Sequence, residues 1–240
     1  MRRSQFARKA ALALLMTAVA APVTLHAQLP SRTRRETSAN RRARLAREIA
    51  ETYSHRYEFS GGGGFLRFRS GEYLQKNSEI TFYSSLNYLL NRKLGVLADV
   101  HGAFGSAKIG NNDFNLAQNP KISQYTFSAG PSYRFFADRR IAVSVFATGG
   151  LALGNFAGGT KGFFPDRLGI WSTTTTPVIT GGVSFDYNFY PNLAARITPT
   201  YIGTFFDGTA PPDGVQTVHG SVQNNLGLNL GVVYRFGHRK

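Results

Sequence analysis

Six charged residues with strand-like surroundings are the first candidates for chemistry in this sequence. They are Glu58, Asp99, Arg134, Asp186, Arg196 and Arg235. Each is flanked on both sides by apolar or aromatic residues, so in a strand each charge would lie opposite an apolar row. Charges removed from water are costly unless opposite signs pair. This charge cluster of three acids and three bases therefore predicts a structural network of ion pairs, the alternative being a gated pore or a proton relay.

His219 and Ser221 are the second candidate, because nucleophilic hydrolysis needs a nucleophile, a base and an orienting group within hydrogen-bond reach. Their His-x-Ser spacing resembles that of the outer-membrane lipid A deacylases. The pair lies in a long joint or at a strand start, and no convincing acidic partner can be chosen for it. Five scattered histidines and no cysteine give no metal-ligand pattern. We therefore interpret His219 as a polar loop residue and predict no enzyme, no catalytic residue, no cofactor and no metal site.

The elements that would position these residues are strands, because apolar and polar residues alternate over most of the chain after residue 57. Eight candidate strands cover 57–68, 79–91, 94–105, 122–136, 141–153, 177–190, 193–206 and 222–236. Each is long enough, at about 9 residues or more, to cross a bilayer. Short joints alternate with long ones, as periplasmic turns and external loops do in outer-membrane barrels. The pattern predicts an all-β fold, an eight-stranded antiparallel transmembrane up-and-down β-barrel. Pro131 and Pro199 within strands predict local bulges.

Alternation alone does not say which face of the barrel is outside, because a soluble lipocalin-like barrel would turn its apolar face inward. Three features favour a membrane: aromatic residues near strand ends, the unequal joints, and the clean alternation of the last strand up to Phe236. An eight-stranded barrel is only wide enough for side chains to fill its interior. The charge cluster, with Asn87 and Asn229 completing its polar contacts, is therefore predicted to plug the periplasmic half of the lumen.

The N-terminal region predicts export, since a basic start, an apolar run and a small-residue cleavage site at Ala27 are typical of a secretory signal peptide. The predicted divisions are a signal peptide at 1–27, a basic periplasmic linker with a short amphipathic helix (40–54) at 28–56, the barrel at 57–236 and a periplasmic tail at 237–240. The helix is solvated, lies on the anionic inner leaflet, or contacts a periplasmic partner. Much of the formal charge of +15 lies before the barrel, so no nucleic-acid partner is predicted.

The region 57–236 resembles the small bacterial outer-membrane β-barrel superfamily, with its OmpA-type, OmpW-type and opacity-protein-like porin domains. The resemblance is carried by Gln223 to Gly227 and on to Phe236-Gly237, by Tyr125 to Arg134, and by Gly181-Gly182-Val183 with Asp186. Within the last strand, the pattern of Asn229, Gly231, Tyr234 and Phe236 is similar to the C-terminal assembly signal of such barrels. Two departures are the residues after Phe236 and the lack of a C-terminal peptidoglycan-binding domain.

The resemblance implies a protein of the bacterial outer membrane, with a non-enzymatic structural or surface-interaction role and a monomeric state. Implied partners are outer-membrane lipids and lipopolysaccharide, with the barrel-assembly machinery and periplasmic chaperones during biogenesis. One alternative is a channel for small solutes or hydrophobic compounds, as in OmpW-type barrels, with an open lumen and a lateral opening near Pro131 or Pro199. A third is a lipid-modifying enzyme that depends on Ser221. The long loops are expected to expose aromatic residues to an external ligand. These are Phe156, Phe163, Phe164, Trp171 and Phe206.

Overall fold

The computed structural model describes residues 37–72, 74–109, 119–160, 168–209, 217–218 and 222–238. Helix α1 spans Ser38–Thr52, and the strands are β1 (His55–Arg69), β2 (Lys76–Leu89), β3 (Leu94–Ser106), β4 (Lys121–Ala137), β5 (Ile141–Gly158), β6 (Thr174–Tyr190), β7 (Leu193–Thr204), β8 (Gly208–Thr209), β9 (Thr217–Val218) and β10 (Gln223–His238). The described residues from Arg42 onward belong to one compact unit. Among all the described residues, no helix is long and apolar enough to cross a membrane.

Eight long strands close into a barrel in the order β1-β10-β7-β6-β5-β4-β3-β2, while β8 and β9 form a separate two-stranded hairpin. Every neighbouring pair in the barrel is antiparallel. The first and last long strands pair over most of their length, from His55 opposite His238 to Arg67 opposite Leu226. The predicted eight-stranded up-and-down barrel is therefore confirmed. Its strand bounds differ most at the end of β5, which reaches Gly158 instead of residue 153.

The two faces of the barrel wall carry opposite chemistry. Large apolar side chains point outward into open space, as shown by Ile80 at 76 % and Leu226 at 63 % exposed. Serine, threonine, asparagine and charged side chains point inward and are buried, with Arg235 only 1 % exposed. A water-soluble barrel buries its apolar face, whereas a barrel in lipid exposes it to hydrocarbon. This exterior therefore belongs in a bilayer.

Pro131 and Pro199 do not produce the bulges predicted for them. The β3–β4 register continues through Pro131, opposite Val96, and the β10–β7 register continues through Pro199, opposite Leu228. The nearest irregularity in β4 lies between Arg134 and Phe136. A proline ring that faces outward loses one backbone donor toward a single neighbouring strand. The ladder is then interrupted on one side only, and no extra residue is needed.

The outer half of the lumen, at the end with the long joints, contains an apolar core. Phe156 packs against Phe68 at 6.0 Å and against Phe206 at 5.1 Å between ring centroids. The indole of Trp171 is 2 % exposed, and its Nε1 donates to the carbonyl of Arg69 at 2.6 Å. A Cβ on Gly208 would lie 2.5 Å from that indole, so only glycine permits this packing.

This core corrects the expectation that Phe156, Trp171 and Phe206 are exposed on loops. The three side chains are 0 %, 2 % and 0 % exposed. The interior of a narrow barrel must be filled by side chains. Apolar residues where the long joints meet the strands fill this end of it. Phe163 and Phe164 lie outside the described residues.

Candidate functional site

Glu58 on β1 is the centre of the charged contacts in the inner half of the lumen. Its carboxylate accepts hydrogen bonds from the guanidinium of Arg134 and, at 2.7 Å, from Nε of Arg235. Nη2 of Arg196 lies 3.7 Å from the second carboxylate oxygen. Glu58 and Arg235 are Cα partners across the β1–β10 ladder, so the backbone itself brings this pair together.

Asp186 on β6 is the second acid of this network. Arg196 donates to both of its carboxylate oxygens, from Nε at 2.6 Å and from Nη2 at 2.8 Å. Nη2 of Arg235 donates to Asp186 Oδ2 at 3.1 Å. The five charged side chains thus form one connected group across five strands, which we call the lumen network: Glu58, Arg134, Asp186, Arg196 and Arg235.

The lumen network contains three bases and two acids, so one positive charge has no acid to balance it. Neutral groups that contact the guanidinium groups stabilise this charge. Oδ1 of Asn188 accepts from Arg235 Nη1 at 2.8 Å. The ring of Tyr53 lies 4.9 Å from the Arg134 guanidinium and 5.5 Å from that of Arg235, measured to the ring centroid. Aromatic faces attract cations, and more strongly when both are removed from water. Tyr53 thus covers the network at the end of the barrel with the short turns.

Helix α1 brings Tyr53 to this position. Leu45 and Ile49 on the helix are half-buried, and Glu48 pairs with Arg139 in the β4–β5 turn at 2.6 Å. The Tyr53 hydroxyl donates to the carbonyl of Asp138 at 2.7 Å and accepts from Nδ2 of Asn188 at 2.9 Å. Burial raises the pKa of the Tyr53 phenol above its ordinary value. The helix predicted at 40–54 is observed two residues earlier, at Ser38–Thr52. Tyr53, the last apolar residue of the predicted helix, directly follows the observed one and is buried.

Asp99 makes no ion pair with the arginines that the sequence predicted as its partners, although Arg196 lines the same mid-lumen cavity. It contacts His101 Nδ1 at 2.6 Å, and Nε2 of that histidine lies 3.2 Å from Nδ2 of Asn229. Its Cα partner on β4, Ser128, is six residues from Arg134, which is about 20 Å along a strand at 3.3 Å per residue. The position of Asp99 along β3 therefore gives it a different neighbour, a histidine on its own strand.

The middle of the lumen holds a cavity of about 20 Å³. Tyr83, Asp99, His101 and Thr198 are among its lining residues, and the Tyr83 ring stacks on His101 at 5.7 Å. The Thr198 hydroxyl has no hydrogen-bond partner in the described part of the chain. A space of this size with polar walls accommodates about one water molecule. Side chains therefore occupy most of the mid-lumen.

Glu79 is a buried acid that the sequence reasoning missed. It is 0 % exposed on β2, and Oε2 accepts from Nε2 of Gln124 at 2.7 Å. Gly105 lies against its side chain, since a Cβ there would be 2.6 Å from Glu79 Cγ. The predicted strand began at Glu79, so this residue had no preceding alternation to show its face. Its parity with Thr81 and Tyr83, both buried, is the signal that identifies it.

The four residues of the predicted assembly pattern are divided between the two faces of β10. Asn229 points inward and accepts from the Thr81 hydroxyl at 2.9 Å, while a Cβ on Gly231 would lie 2.4 Å from the carbonyl of Gly61. Tyr234 and Phe236 point outward at 48 % and 40 % exposed. His219 and Ser221 lie outside the described residues. Among those described, no group of three or more His, Asp or Glu side chains could hold a metal ion.

Comparison with known proteins finds similarity in structure. No protein-family model and no curated protein matches the chain. The outer membrane protein OprG of Pseudomonas aeruginosa is similar over 78 % of this chain and 99 % of its own, with a TM-score of 0.50 and 13 % identity. Neisserial surface protein A is similar over 75 % of this chain and 97 % of its own, with a TM-score of 0.49 and 16 % identity.

A third similar structure is Ail, the attachment invasion locus protein of Yersinia pestis, solved in complex with the heparin analogue sucrose octasulfate. It is 16 % identical and covers 75 % of this chain and 97 % of its own, with a TM-score of 0.42. Identities this low concern the fold alone. The location follows from the wall, because an apolar exterior around a polar, side-chain-filled interior is stable in a bilayer. The chain therefore has the fold of the small bacterial outer-membrane β-barrels, with the apolar outer wall of a barrel that spans a membrane.

Proposed function

We propose that this protein is a non-enzymatic, closed outer-membrane barrel with a structural or surface-interaction role. The observation that carries this proposal is the lumen network, in which two acids and three bases from five strands are joined by direct contacts. A conducting pathway needs water along the axis, and these buried charges satisfy one another instead.

Two further contacts support a closed lumen. Tyr53 covers the network from the periplasmic side, and the apolar core with Trp171, Phe156 and Phe206 fills the outer half. An ion would have to displace both as well as the network. The three layers act in series, so loss of one still leaves two obstructions.

The wall also favours a closed barrel over a lateral channel. Pairing between β4 and β5 is interrupted beside Pro131, yet a Cβ on Gly130 would lie 2.2 Å from the carbonyl of Ala147. Pairing between β6 and β7 is interrupted beside Pro199, yet a Cβ on Gly182 would lie 2.7 Å from the Pro199 carbonyl. The neighbouring backbones therefore remain in contact at the two places where the alternative, an OmpW-type channel, would have its lateral opening.

Single-channel recording tests closure. The full-length protein, reconstituted in a planar bilayer, is expected to give no steady conductance under conditions in which a general porin conducts. A variant with Trp171→Ala is expected to stay silent too, because the lumen network remains. Steady openings of the wild-type protein would overturn the proposal and favour the channel.

We also propose that the outer rim contacts lipopolysaccharide. Arg67, Arg69 and Lys76 are exposed at the outer ends of β1 and β2, and Arg69 lies opposite Lys76 in the ladder. Arginine and lysine pair with phosphate, and the lipid A of the outer leaflet carries phosphates at this level. Replacing Arg67 and Arg69 together by glutamine should reduce lipopolysaccharide co-purifying with the protein, whereas unchanged content would contradict this contact.

Biogenesis completes the proposal. Residues 1–27 are proposed to be a signal peptide, so the mature protein would begin with Gln28. Periplasmic chaperones and the barrel-assembly machinery would then insert a monomer, with exposed Tyr234 and Phe236 on β10 available for recognition. N-terminal sequencing of the protein from outer membranes tests the cleavage site. A start at any residue before 28 would contradict it.

A further inference from the structure

The periplasmic edge of the barrel is strongly basic in the described residues. Its exposed bases include Arg44, Arg47, Arg56, Arg92, Lys93, Arg139 and Arg140. The acids at this edge are Glu48, Glu51 and Asp138. Aromatic rings lie directly beside the bases: the Arg56 guanidinium is 5.5 Å from the Tyr88 ring, and Tyr57 packs between Tyr88 and Phe236 at 5.4 and 5.3 Å. Aromatic belts mark the membrane–water interface, so these bases lie at the level of the headgroups.

A cleft of about 300 Å³ opens within this edge, between helix α1 and the β4–β5 and β6–β7 turns. Arg139, Arg140, Phe189 and Tyr190 are among its lining residues. Phe189 and Tyr190 are 60 % and 64 % exposed, so one wall of the cleft is apolar and continues the lipid-facing surface. The opposite wall is the polar surface of helix α1.

The two arginines of this cleft have different surroundings. Arg139 is paired with Glu48 at 2.6 Å, so the one acid in the cleft is already neutralised. The Arg140 guanidinium makes no ion pair with any of the described residues. Its backbone is fixed, because the Asn188 N–H donates to the Arg140 carbonyl at 2.7 Å. The cleft thus presents one uncompensated positive charge beside an apolar wall.

We propose that this cleft binds an anionic phospholipid of the inner leaflet. The lipid phosphate pairs with Arg140, and the upper part of an acyl chain lies along Phe189 and Tyr190. A membrane lipid is the occupant because the charged group and the apolar wall are arranged at the interface in the order of a headgroup and a chain. A soluble anion would gain nothing from the apolar wall. The inference requires the barrel to span a membrane, and it is independent of whether the lumen conducts.

Native mass spectrometry of the full-length protein in detergent tests this site. The protein is titrated with phosphatidylglycerol and with phosphatidylethanolamine of the same acyl chains. We expect tighter binding of the first phosphatidylglycerol, and Arg140→Gln should weaken it about fivefold, the effect of one charge near a lipid surface. Arg140→Lys should retain the preference, because the charge remains. Arg140 is exposed, so these variants should fold, and heat-modifiable gel mobility checks that they do.

Two matched variants separate a site from general attraction. Arg92→Gln removes an exposed charge of the same edge outside the cleft, and Lys121→Gln removes one at the opposite end of the barrel. Both should change phosphatidylglycerol affinity less than twofold. Equal losses in all three variants would overturn the site and leave only the net charge. No preference over phosphatidylethanolamine, or full displacement of the lipid by millimolar inorganic phosphate, would also overturn it.

Discussion

Arg196 donates two parallel hydrogen bonds to Asp186, at 2.6 and 2.8 Å, and the two residues lie directly opposite each other on β7 and β6. Both side chains are almost completely buried. Planar guanidinium and carboxylate groups match in this geometry, which fixes the orientation of each. The pair therefore holds both side chains in one orientation, and Nη2 of Arg235 donates to the same carboxylate at 3.1 Å.

Removal of one partner of this pair should be strongly destabilising. Asp186→Asn leaves Arg196 and Arg235 short of a compensating charge, and breaking a buried pair in this way costs about 3–5 kcal/mol. Urea unfolding in liposomes, followed by Trp171 fluorescence, measures the loss. The control Glu51→Gln changes an exposed acid of helix α1 and should shift stability by less than about 0.5 kcal/mol. Equal effects of the two changes would contradict the importance of the pair.

Tyr53 should hold helix α1 on the barrel mainly through its ring. Tyr53→Phe keeps the ring over Arg134 and Arg235 and loses the hydroxyl, at a cost of about 1 kcal/mol. Tyr53→Ala loses the ring as well and should cost about 3 kcal/mol or more. Limited trypsin digestion reports the docking, since cleavage within α1 should accelerate for alanine much more than for phenylalanine. Indistinguishable digestion of the two variants would show that the ring does not hold the helix.

The Tyr53 phenol should also make stability fall at alkaline pH. Its pKa is raised in the folded protein because burial disfavours the phenolate. Its stabilisation is therefore complete below the pKa of an unfolded tyrosine, about 10, and is lost as pH rises from there toward the higher folded pKa. Tyr53→Phe should remove this part of the decline. The comparison of wild type and variant from pH 8 to pH 12 isolates it from other groups, and parallel curves would contradict it.

Trp171 should report the apolar core directly, because it is the only tryptophan of the chain. A 2 % exposed indole among Phe156, Phe206 and Ile170 should emit at short wavelength and resist acrylamide quenching. Emission typical of water-exposed indole in the folded barrel would contradict the core. Gly208→Val should shift the emission, because a Cβ at that position overlaps the ring. Gly149→Val on β5 serves as the control, because it is exposed and a Cβ there would meet no atom nearer than 3.9 Å.

The sequence predicts the barrel well because its signal is local. Alternation over a few residues identifies both the strand and the face of each side chain, as for Glu58 between Tyr57 and Phe59. Pairing partners depend on register between distant strands, and Glu58 contacts Arg235 across 177 positions. Two strand positions separate Asp99 from His101, yet sequence gave no reason to prefer that neighbour over an arginine. The position of Asp99 along the barrel axis, far from Arg134 and next to His101, determines its neighbour.

The contacts outside the strands were harder to predict for a different reason. The spacing of Leu45, Ile49 and Tyr53 indicates one apolar face of a helix. Such a face could pack equally well against lipid, against a partner protein or against the barrel, so the pattern does not identify its contact. Trp171 and Phe206 lie in joints, where no period shows whether a ring turns inward. The volume left inside the closed wall determines their burial, and that volume exists only once the fold is formed.

The position of Glu58 and Arg235 on the first and last long strands has a consequence for how the protein is made. Arg134, Asp186 and Arg196 lie on strands between these two, and Arg235 links Glu58 to Asp186 only when β1 and β10 are paired. A chain that stops short of Arg235 leaves Glu58 and Asp186 without that contact inside a narrow tube. We therefore expect a barrel closed without β10 to be less stable, because it would bury Glu58 and Asp186 without the guanidinium of Arg235.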